Sequence, residues 1–347
     1  MIKPRGCPIG LTAALLTLLV GCTGEPPDSA RTSAPPATPA KQTPEAQFHL
    51  SADQTHNKFS SAIPPVLTVP AGAVVEVSTE EATDQQLGLD STVDDLAGVD
   101  FDPIHPLTGP VFVEGAKPGD VLAVTLHEIE VGDWGWTAIY PGFSFLADEF
   151  PNAALKTFDL SSNSGSIRFS EDISIPLSPF PGVMGVAPKT DEMLSTIPPR
   201  ANGGNMDNKY LTAGTTVYFP VFVEGALFSI GDTHAVQGDG EVCGTAVEAP
   251  MRIVYQVEVL EGWRAITEPQ YESEEFYGVT AFAETIDEAA RKATRFMIDY
   301  LVEAHGLTRE DAYMVASLAG DLKISEVVDV PHVLVSMHMP KHIFTNP

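Results

Sequence analysis

Residues 215–249 read TTVYFPVFVEGALFSIGDTHAVQGDGEVCGTAVEA, in which a polar centre lies between apolar runs. The runs 217–223, 226–230 and 242–247 are rich in β-branched and aromatic residues and are bounded by glycines, which is typical of strands. The polar centre, residues 231–241, is therefore predicted to form a turn carried by a sheet.

The polar centre combines an imidazole, an amide and three carboxylates: Asp232, His234, Gln237, Asp239 and Glu241. Asp232 and His234 are two residues apart, and so are Asp239 and Glu241. In an extended chain each pair points to one side, where it can supply two ligands to one ion. The pattern indicates a cation site. The alternative is a solvated Asp/Gly-rich hairpin whose acids bond their own backbone.

The rest of the chain is punctuated by Gly and Pro turns between short strand candidates, at residues 66–69, 74–77 and 121–131. Helical periodicity is absent until about residue 285. This pattern predicts a mainly β, sandwich-like body that extends to about residue 265.

A smaller α-containing region is predicted at about residues 283–320. Thr285 and Glu288 form a capping box, and apolar residues follow at helical spacing up to Gly306. Thr308 opens a second helix, which is predicted to end near Ala319 before Gly320.

An internal repeat links two parts of the β body. The sequence PVFVEGA occurs at residues 110–116 and again at 220–226, and each copy is soon followed by Gly-Asp. Seven identical residues in matching surroundings predict two related β units.

The first 21 residues have the form of a signal peptide. Lys3 and Arg5 precede an apolar run that ends Leu19-Val20-Gly21-Cys22, which resembles a bacterial lipobox. This resemblance implies cleavage before Cys22, a lipid on its sulfur, and an exported chain anchored on the periplasmic or cell-surface side of a membrane. A simple secretory signal and a retained membrane anchor are the alternatives. Residues 22–46, rich in Pro, Ser, Thr and Ala, predict a disordered tether before a domain at 47–347.

The net charge of −28 limits the partners of the chain. Nucleic acids and anionic lipid surfaces repel such a polyanion, so membrane contact is expected only through the N-terminal lipid. Of the three cysteines, Cys243 is the one that remains after signal cleavage and acylation, which excludes an intrachain disulfide.

Several stretches resemble the acetamidase/formamidase family. They follow the family order across about residues 47–345, and they comprise TGPVFVEGAKPGDVLAV (108–124), GWT (135–137), PGF (141–143), GVMGVAP (182–188), GGNMD (203–207), PVFVEGALFSIGDTHAVQGDGEVCGTAVE (220–248) and AYMVASLAGDLKISEVVD (312–329). The resemblance implies a β-rich hydrolase that cleaves short linear amides to a carboxylate and ammonia. It also implies a divalent metal, most often zinc, and by analogy a homodimer or higher oligomer.

By position, the resemblance adds residues to the candidate site. Asp207, Asp232 and His234 are the expected metal ligands, and Glu248 is the expected general base. Proton transfer or support of the ligands is assigned to Glu241 or Glu114. Contact with substrate or support of the ligands is assigned to a further set: Glu81, Gln86, His105, Gln237 and Asp239. Glu81 stands where relatives usually carry Asp.

The chemistry follows from the difficulty of amide hydrolysis. A divalent ion polarises the carbonyl and activates a water, and the sequence has no GxSxG elbow for a serine nucleophile. Two carboxylates with one imidazole suit zinc or manganese, whereas an all-oxygen set suits calcium or magnesium. The alternative function is a lipid-tethered protein that binds a metal or small ligand without turnover.

Overall fold

The computed structural model describes residues 43–345, in which strands outnumber helices. The signal peptide, Cys22 and most of the tether lie outside the described residues, and those interpretations stay predictions. The strands run in this order: β1 Phe48–Leu50, β2 Thr55–His56, β3 Lys58–Phe59, β4 Leu67–Pro70, β5 Val74–Thr79, β6 Leu107–Glu114, β7 Val121–Val131, β8 Trp134–Ile139, β9 Ala154–Asp159, β10 Ser166–Arg168, β11 Ser174–Pro176, β12 Phe180–Gly185, β13 Leu194–Ser195, β14 Gly203–Asn205, β15 Thr216–Pro220, β16 Phe228–His234, β17 Met251–Leu260, β18 Gln270–Glu272, β19 Phe276–Ala283, β20 Asp321–Glu326 and β21 Val333–Pro340.

Two large sheets form the β body, as the sandwich prediction requires. One is nine-stranded, in the order β1-β5-β17-β7-β15-β18-β19-β21-β20. The other is six-stranded, in the order β14-β12-β16-β6-β2, with β4 also paired to β6. Shorter pairs join β8 to β9, β10 to β11 and β3 to β13.

The nine-stranded sheet is buried on both faces. Leu122, Val124 and Leu126 of β7 face the main core with residues of the six-stranded sheet, whereas Val121 and Ala123 face the helices. Side chains on a strand alternate between the two faces, so an uninterrupted apolar run suits this middle layer. The result is a three-layered arrangement of sheet, sheet and helices.

The helices are α1 Val93–Leu96, α2 Ile286–His305 and α3 Arg309–Ala319, with a 3-10 turn at Lys341–Ile343. The Thr285 side chain accepts a hydrogen bond from the Glu288 N–H, and Gly306 ends α2 in the left-handed conformation. Thr308 caps α3 in the same way. The predicted C-terminal helical region is therefore confirmed. None of the helices within residues 43–345 has the length and apolar character that a bilayer span requires.

The β body does not end near residue 265 as predicted, because β18, β19, β20 and β21 extend the nine-stranded sheet. The sequence prediction is also wrong in two places near the centre of the chain. Residues 242–247 are not a strand, and the predicted strand 217–223 ends at Pro220. The two PVFVEGA copies therefore differ, because 110–114 belong to β6 while most of 220–226 forms a turn. They still contact each other, since the Val113 N–H donates to the Gly225 carbonyl.

Candidate active site

The C-terminal end of β16 carries Asp232 and His234. Both lie in the strand itself and not on the predicted turn beyond it, and both are buried. β12 flanks β16 on one side, where Phe180 pairs with His234, and β6 flanks it on the other, where Leu107 pairs with Gly231. The two side chains are thus held in the middle of a sheet, on one side of their strand as predicted.

The His234 imidazole is the centre of a group of carboxylates. Its Nε2 lies 3.0 Å from Glu248 Oε2 and 3.5 Å from Asp232 Oδ1, and its Nδ1 lies 3.6 Å from Asp207 Oδ1. Two sets of potential ligands share the imidazole, Asp232-His234-Glu248 and Asp207-His234-Glu241, and within each set the ligand atoms lie within 4.8 Å of one another. Asp207 and Asp232 both lie beside His234, but they face opposite nitrogens of its ring and belong to different sets.

Gln237 fixes the hydrogen position on His234. Its amide nitrogen donates to the carbonyls of Asp207 (2.7 Å) and Ser325 (3.2 Å). Its amide oxygen must then face His234 Nδ1, at 2.9 Å. Because that oxygen can only accept, Nδ1 carries a hydrogen, and Nε2 is the nitrogen that faces Asp232 and Glu248.

The loop after β16 brings both remaining acids into the site. Glu248 is held by backbone pairing with Trp136 of β8 and with His234, and its Oε1 accepts from the Ala246 N–H at 2.8 Å. Glu241 follows Gly240, whose N–H donates to the Ser325 carbonyl, and it is also buried. The expected pairing of Asp239 with Glu241 on one side does not occur.

A segment near the C-terminus completes the site and was missed by sequence reasoning. Asp329 lines the cavity, and its Oδ2 accepts from Asn205 Nδ2 at 2.9 Å. Neighbouring Glu326 is fully buried and accepts from the N–H groups of Val328 and Asp329. The signal was the pair Glu326 and Asp329 in the family-like stretch 312–329, which begins about 70 residues after the polar centre.

Burial and like charges shift the acids of the site. Burial raises the pKa of Glu248 to about 7 and, with the charge of Asp207, raises the pKa of Glu241 well above its usual range. Burial also opposes ionisation of Asp232, but His105 and His234 outweigh it and lower the pKa of this carboxyl to about 2. Burial opposes protonation of His234, but Glu248 and Asp232 outweigh it and raise its pKa. Such divergent pKa values are typical of functional sites.

These groups surround a cavity of about 50 Å³. One wall is made of carboxyl groups. Much of the remaining lining is aromatic and aliphatic, with Phe101, Ile104, Trp136, Tyr140, Phe143 and Ile197. The space admits a few water-sized groups, so a small ligand with a short apolar part fits it.

Three of the supporting candidates lie in or beside this cavity. His105 lines it, with Nε2 3.8 Å from Asp232 Oδ2. Glu81 accepts hydrogen bonds from Trp136 Nε1 at 2.8 Å and from the Thr83 hydroxyl at 2.7 Å, so it positions the wall. Gln86 bonds both the N–H and the carbonyl of Asp100, which ties the segment after β5 to the loop that carries Phe101.

Two candidates do not reach the cavity and are corrected here. Glu114 is exposed at the far end of β6, seven residues or roughly 23 Å along the strand from the Leu107 end that adjoins the site. Asp239 is exposed as well and pairs with Lys209 Nζ at 3.2 Å. Both side chains point to solvent because neither has the backbone anchors that turn Glu241 and Glu248 inward.

Comparisons with known proteins identify relatives of the chain. The chain matches the Acetamidase/Formamidase family profile over residues 42–195 and 190–346. It is 31% identical to an acetamidase of Mycolicibacterium smegmatis over 269 residues, covering 60% of this chain and 66% of the relative. It is 32% identical to a putative formamidase of Schizosaccharomyces pombe over 263 residues, covering 59% of this chain and 64% of the relative. The matched part thus spans just under two thirds of the length of these two curated relatives.

A solved structure shares the whole fold. A predicted acetamidase/formamidase from the thermophile Thermoanaerobacter tengcongensis superposes with a TM-score of 0.80 at 36% identity, covering 85% of this chain and 96% of that one. Together with the profile match along nearly the entire domain, this places the chain within one family. The chain belongs to the acetamidase/formamidase family.

Proposed function

We propose that the chain is a metal-dependent amidase that hydrolyses short linear amides, of the formamide or acetamide kind, to a carboxylate and ammonia. The observation that carries the proposal is a small cavity lined both by buried acids with an imidazole and by apolar side chains. An amide has the same two parts, a polar reacting group and a short acyl chain.

The residues fit a divalent cation. Both carboxylate oxygens of Asp207 are buried without a hydrogen-bond partner among the described residues, which is costly unless something else compensates them. Asp232 and His234 Nε2 would hold the ion beside Glu248, and Asp207 and Glu241 lie on the Nδ1 side of the imidazole. Imidazole with carboxylates favours zinc or manganese, while calcium or magnesium would use the oxygens alone.

Glu248 is suited to move the protons of the reaction. When bound, the cation polarises the amide carbonyl and lowers the pKa of a water molecule. A pKa of about 7 lets Glu248 accept a proton from the attacking water and return it to the leaving nitrogen at neutral pH. Its anchored Oε1 holds the carboxyl in place, and the apolar wall keeps bulk water away from the reacting groups.

Ammonia release tests this proposal. Metal-loaded protein is expected to release ammonia from formamide or acetamide, and chelation is expected to abolish the release. Glu248→Gln should lower kcat by about 10²-fold to 10⁴-fold, because general acid-base catalysis is worth that much. Glu114→Gln is the matched control, since this exposed acid lies outside the cavity and its loss should leave kcat unchanged.

The alternative, a protein that binds a metal or small ligand without turnover, predicts a different outcome. Metal analysis would then find a bound ion that His234→Ala removes, yet no ammonia would form with any short amide. That result would overturn the amidase proposal.

A further inference from the structure

Tyr140 stands at the cavity directly after β8. Its side chain lines the cavity and is 8% exposed. Edge contacts fix the ring, with its centroid 5.3 Å from that of Phe101 and 6.3 Å from that of Trp136. The Phe143 N–H donates to the Tyr140 carbonyl and closes the turn in which the residue sits. The hydroxyl is therefore held in a defined position.

This hydroxyl is buried and has no hydrogen-bond partner among the described residues. Buried tyrosine hydroxyls normally find one, since an unpaired polar group costs about 1–3 kcal/mol. Tyr255 also lacks a partner, but it lies in the core between the two large sheets. Tyr140 differs because it lines a cavity in which a ligand can supply the missing partner.

The Tyr140 hydroxyl is a hydrogen donor at neutral pH. Burial raises its pKa, and the charges of Glu81 and Glu248 raise it further. The other two hydroxyls of the cavity are already committed, because Thr83 donates to Glu81 and Thr245 donates to the Ala138 carbonyl.

We propose that Tyr140 is a catalytic residue that donates its hydroxyl hydrogen to the carbonyl oxygen of the bound amide. The assignment of the ligand as an amide rests on the function proposed above. The carboxyl wall offers acceptors to the amide N–H groups, whereas the carbonyl oxygen needs a donor. A donor fixed in advance at this oxygen gains strength as negative charge develops there during attack, and so stabilises the transition state more than the substrate.

The test is Tyr140→Phe, which removes one oxygen atom, with Tyr255→Phe as the matched control. In metal-loaded protein, Tyr140→Phe is expected to lower kcat/KM for acetamide by about 10²-fold, as loss of one such donor does elsewhere. Tyr255→Phe should leave kcat/KM unchanged. Neither change should lower the melting temperature, because neither hydroxyl bonds another group of the protein.

A second measurement reads the contact directly. Infrared difference spectra with ¹³C-labelled acetamide report the carbonyl stretch of the bound amide, which falls when the oxygen accepts a hydrogen bond. The band is expected at lower frequency in the wild type and in Tyr255→Phe than in Tyr140→Phe. Equal bands and equal kcat/KM in all three proteins would overturn the role of Tyr140.

The two measurements also separate this role from the proposed function. If the band shifts with Tyr140 but the wild type releases no ammonia, the contact holds and the amidase proposal fails. If the wild type releases ammonia and Tyr140→Phe matches it in rate and band position, the amidase proposal holds and the contact fails.

Discussion

At the scale of single residues, Gln237 has the clearest consequence. Gln237 does not line the cavity, yet its side-chain amide orients the His234 imidazole so that Nδ1 carries a hydrogen. We expect Gln237→Met to release the imidazole and weaken zinc binding by about 10-fold to 100-fold, the usual effect of losing a group that orients a metal-binding histidine. Competition with a chromophoric chelator measures the affinity, and nitrogen NMR of the imidazole reports which nitrogen carries the hydrogen.

The matched control for Gln237 lies on the surface. Gln256 Oε1 contacts His127 Nε2 at 3.3 Å, and neither residue lines the cavity. Gln256→Met therefore removes a similar glutamine-histidine hydrogen bond and leaves the site unchanged. If Gln237→Met retained both the zinc affinity and the wild-type imidazole spectrum, the orienting role would be excluded.

At the scale of elements, β12 and β16 must approach closely at the site. Gly182 of β12 faces the acids, and a Cβ there would lie 2.4 Å from Asp207 Oδ1 and 2.8 Å from His234 Cε1. We expect Gly182→Ala to displace these side chains, with loss of metal binding and activity by 10-fold or more, as roughly 1 Å of misplacement causes in other sites. Isothermal titration with zinc and ammonia release measure both.

Gly88→Ala is the comparison for Gly182. Nothing lies within 4 Å of a Cβ at Gly88, so this substitution should change neither zinc binding nor turnover. Unchanged zinc affinity in Gly182→Ala would show that the strands can separate without disturbing the ligands.

The elements also show which features the sequence determines locally. The caps at Thr285, Gly306 and Thr308 are interactions between near neighbours, and both long helices begin and end where those residues predict. The two PVFVEGA copies show the opposite. The first copy pairs with β4 and β16. In the second copy Ala226 has φ of 58°, as does Leu227 directly after it, so the backbone there is not extended. Identical residues take different forms because their partners, distant in sequence, differ.

The same contrast holds for the site. Asp232, His234 and Glu241 lie within 10 residues, and their density predicted a common site, to which the family resemblance added Glu248. Asp329 and Tyr140 reach the cavity only through strand order and a turn, which no local pattern encodes. Asp239 shows the converse error, since its proximity in sequence placed it in a site that its backbone turns away from.

At the scale of the whole molecule, the half-buried His56 and the buried His338, both outside the site, are expected to set the acid limit of stability. His56 binds the Lys58 carbonyl and the Ser229 hydroxyl, both at 2.7 Å, and His338 contacts the Tyr271 hydroxyl. Burial lowers the pKa of each imidazole from 6.5 to about 4. Protons therefore bind the unfolded chain more readily than the folded one between these values.

The sign follows from this difference. The two histidines do not reduce the free energy of unfolding above about pH 6.5. As the pH falls towards 4, the free energy of unfolding decreases, since the unfolded state takes up more protons than the folded state. At pH 4.5 the loss is roughly 2.5 kcal/mol for each histidine. Urea unfolding followed by tryptophan fluorescence at pH 7 and pH 4.5 measures it.

Substituting the two histidines distinguishes their contribution to the pH dependence of stability from that of the many acids that also titrate. The double variant His56→Gln, His338→Gln is expected to lose roughly 5 kcal/mol less than the wild type between pH 7 and pH 4.5, whatever its stability at pH 7. His342→Gln, at an exposed position, should lose as much as the wild type. If the double variant lost as much free energy of unfolding as the wild type and His342→Gln, acid sensitivity would come from the carboxyl groups. Only these groups would then differ in proton binding between the folded and unfolded states.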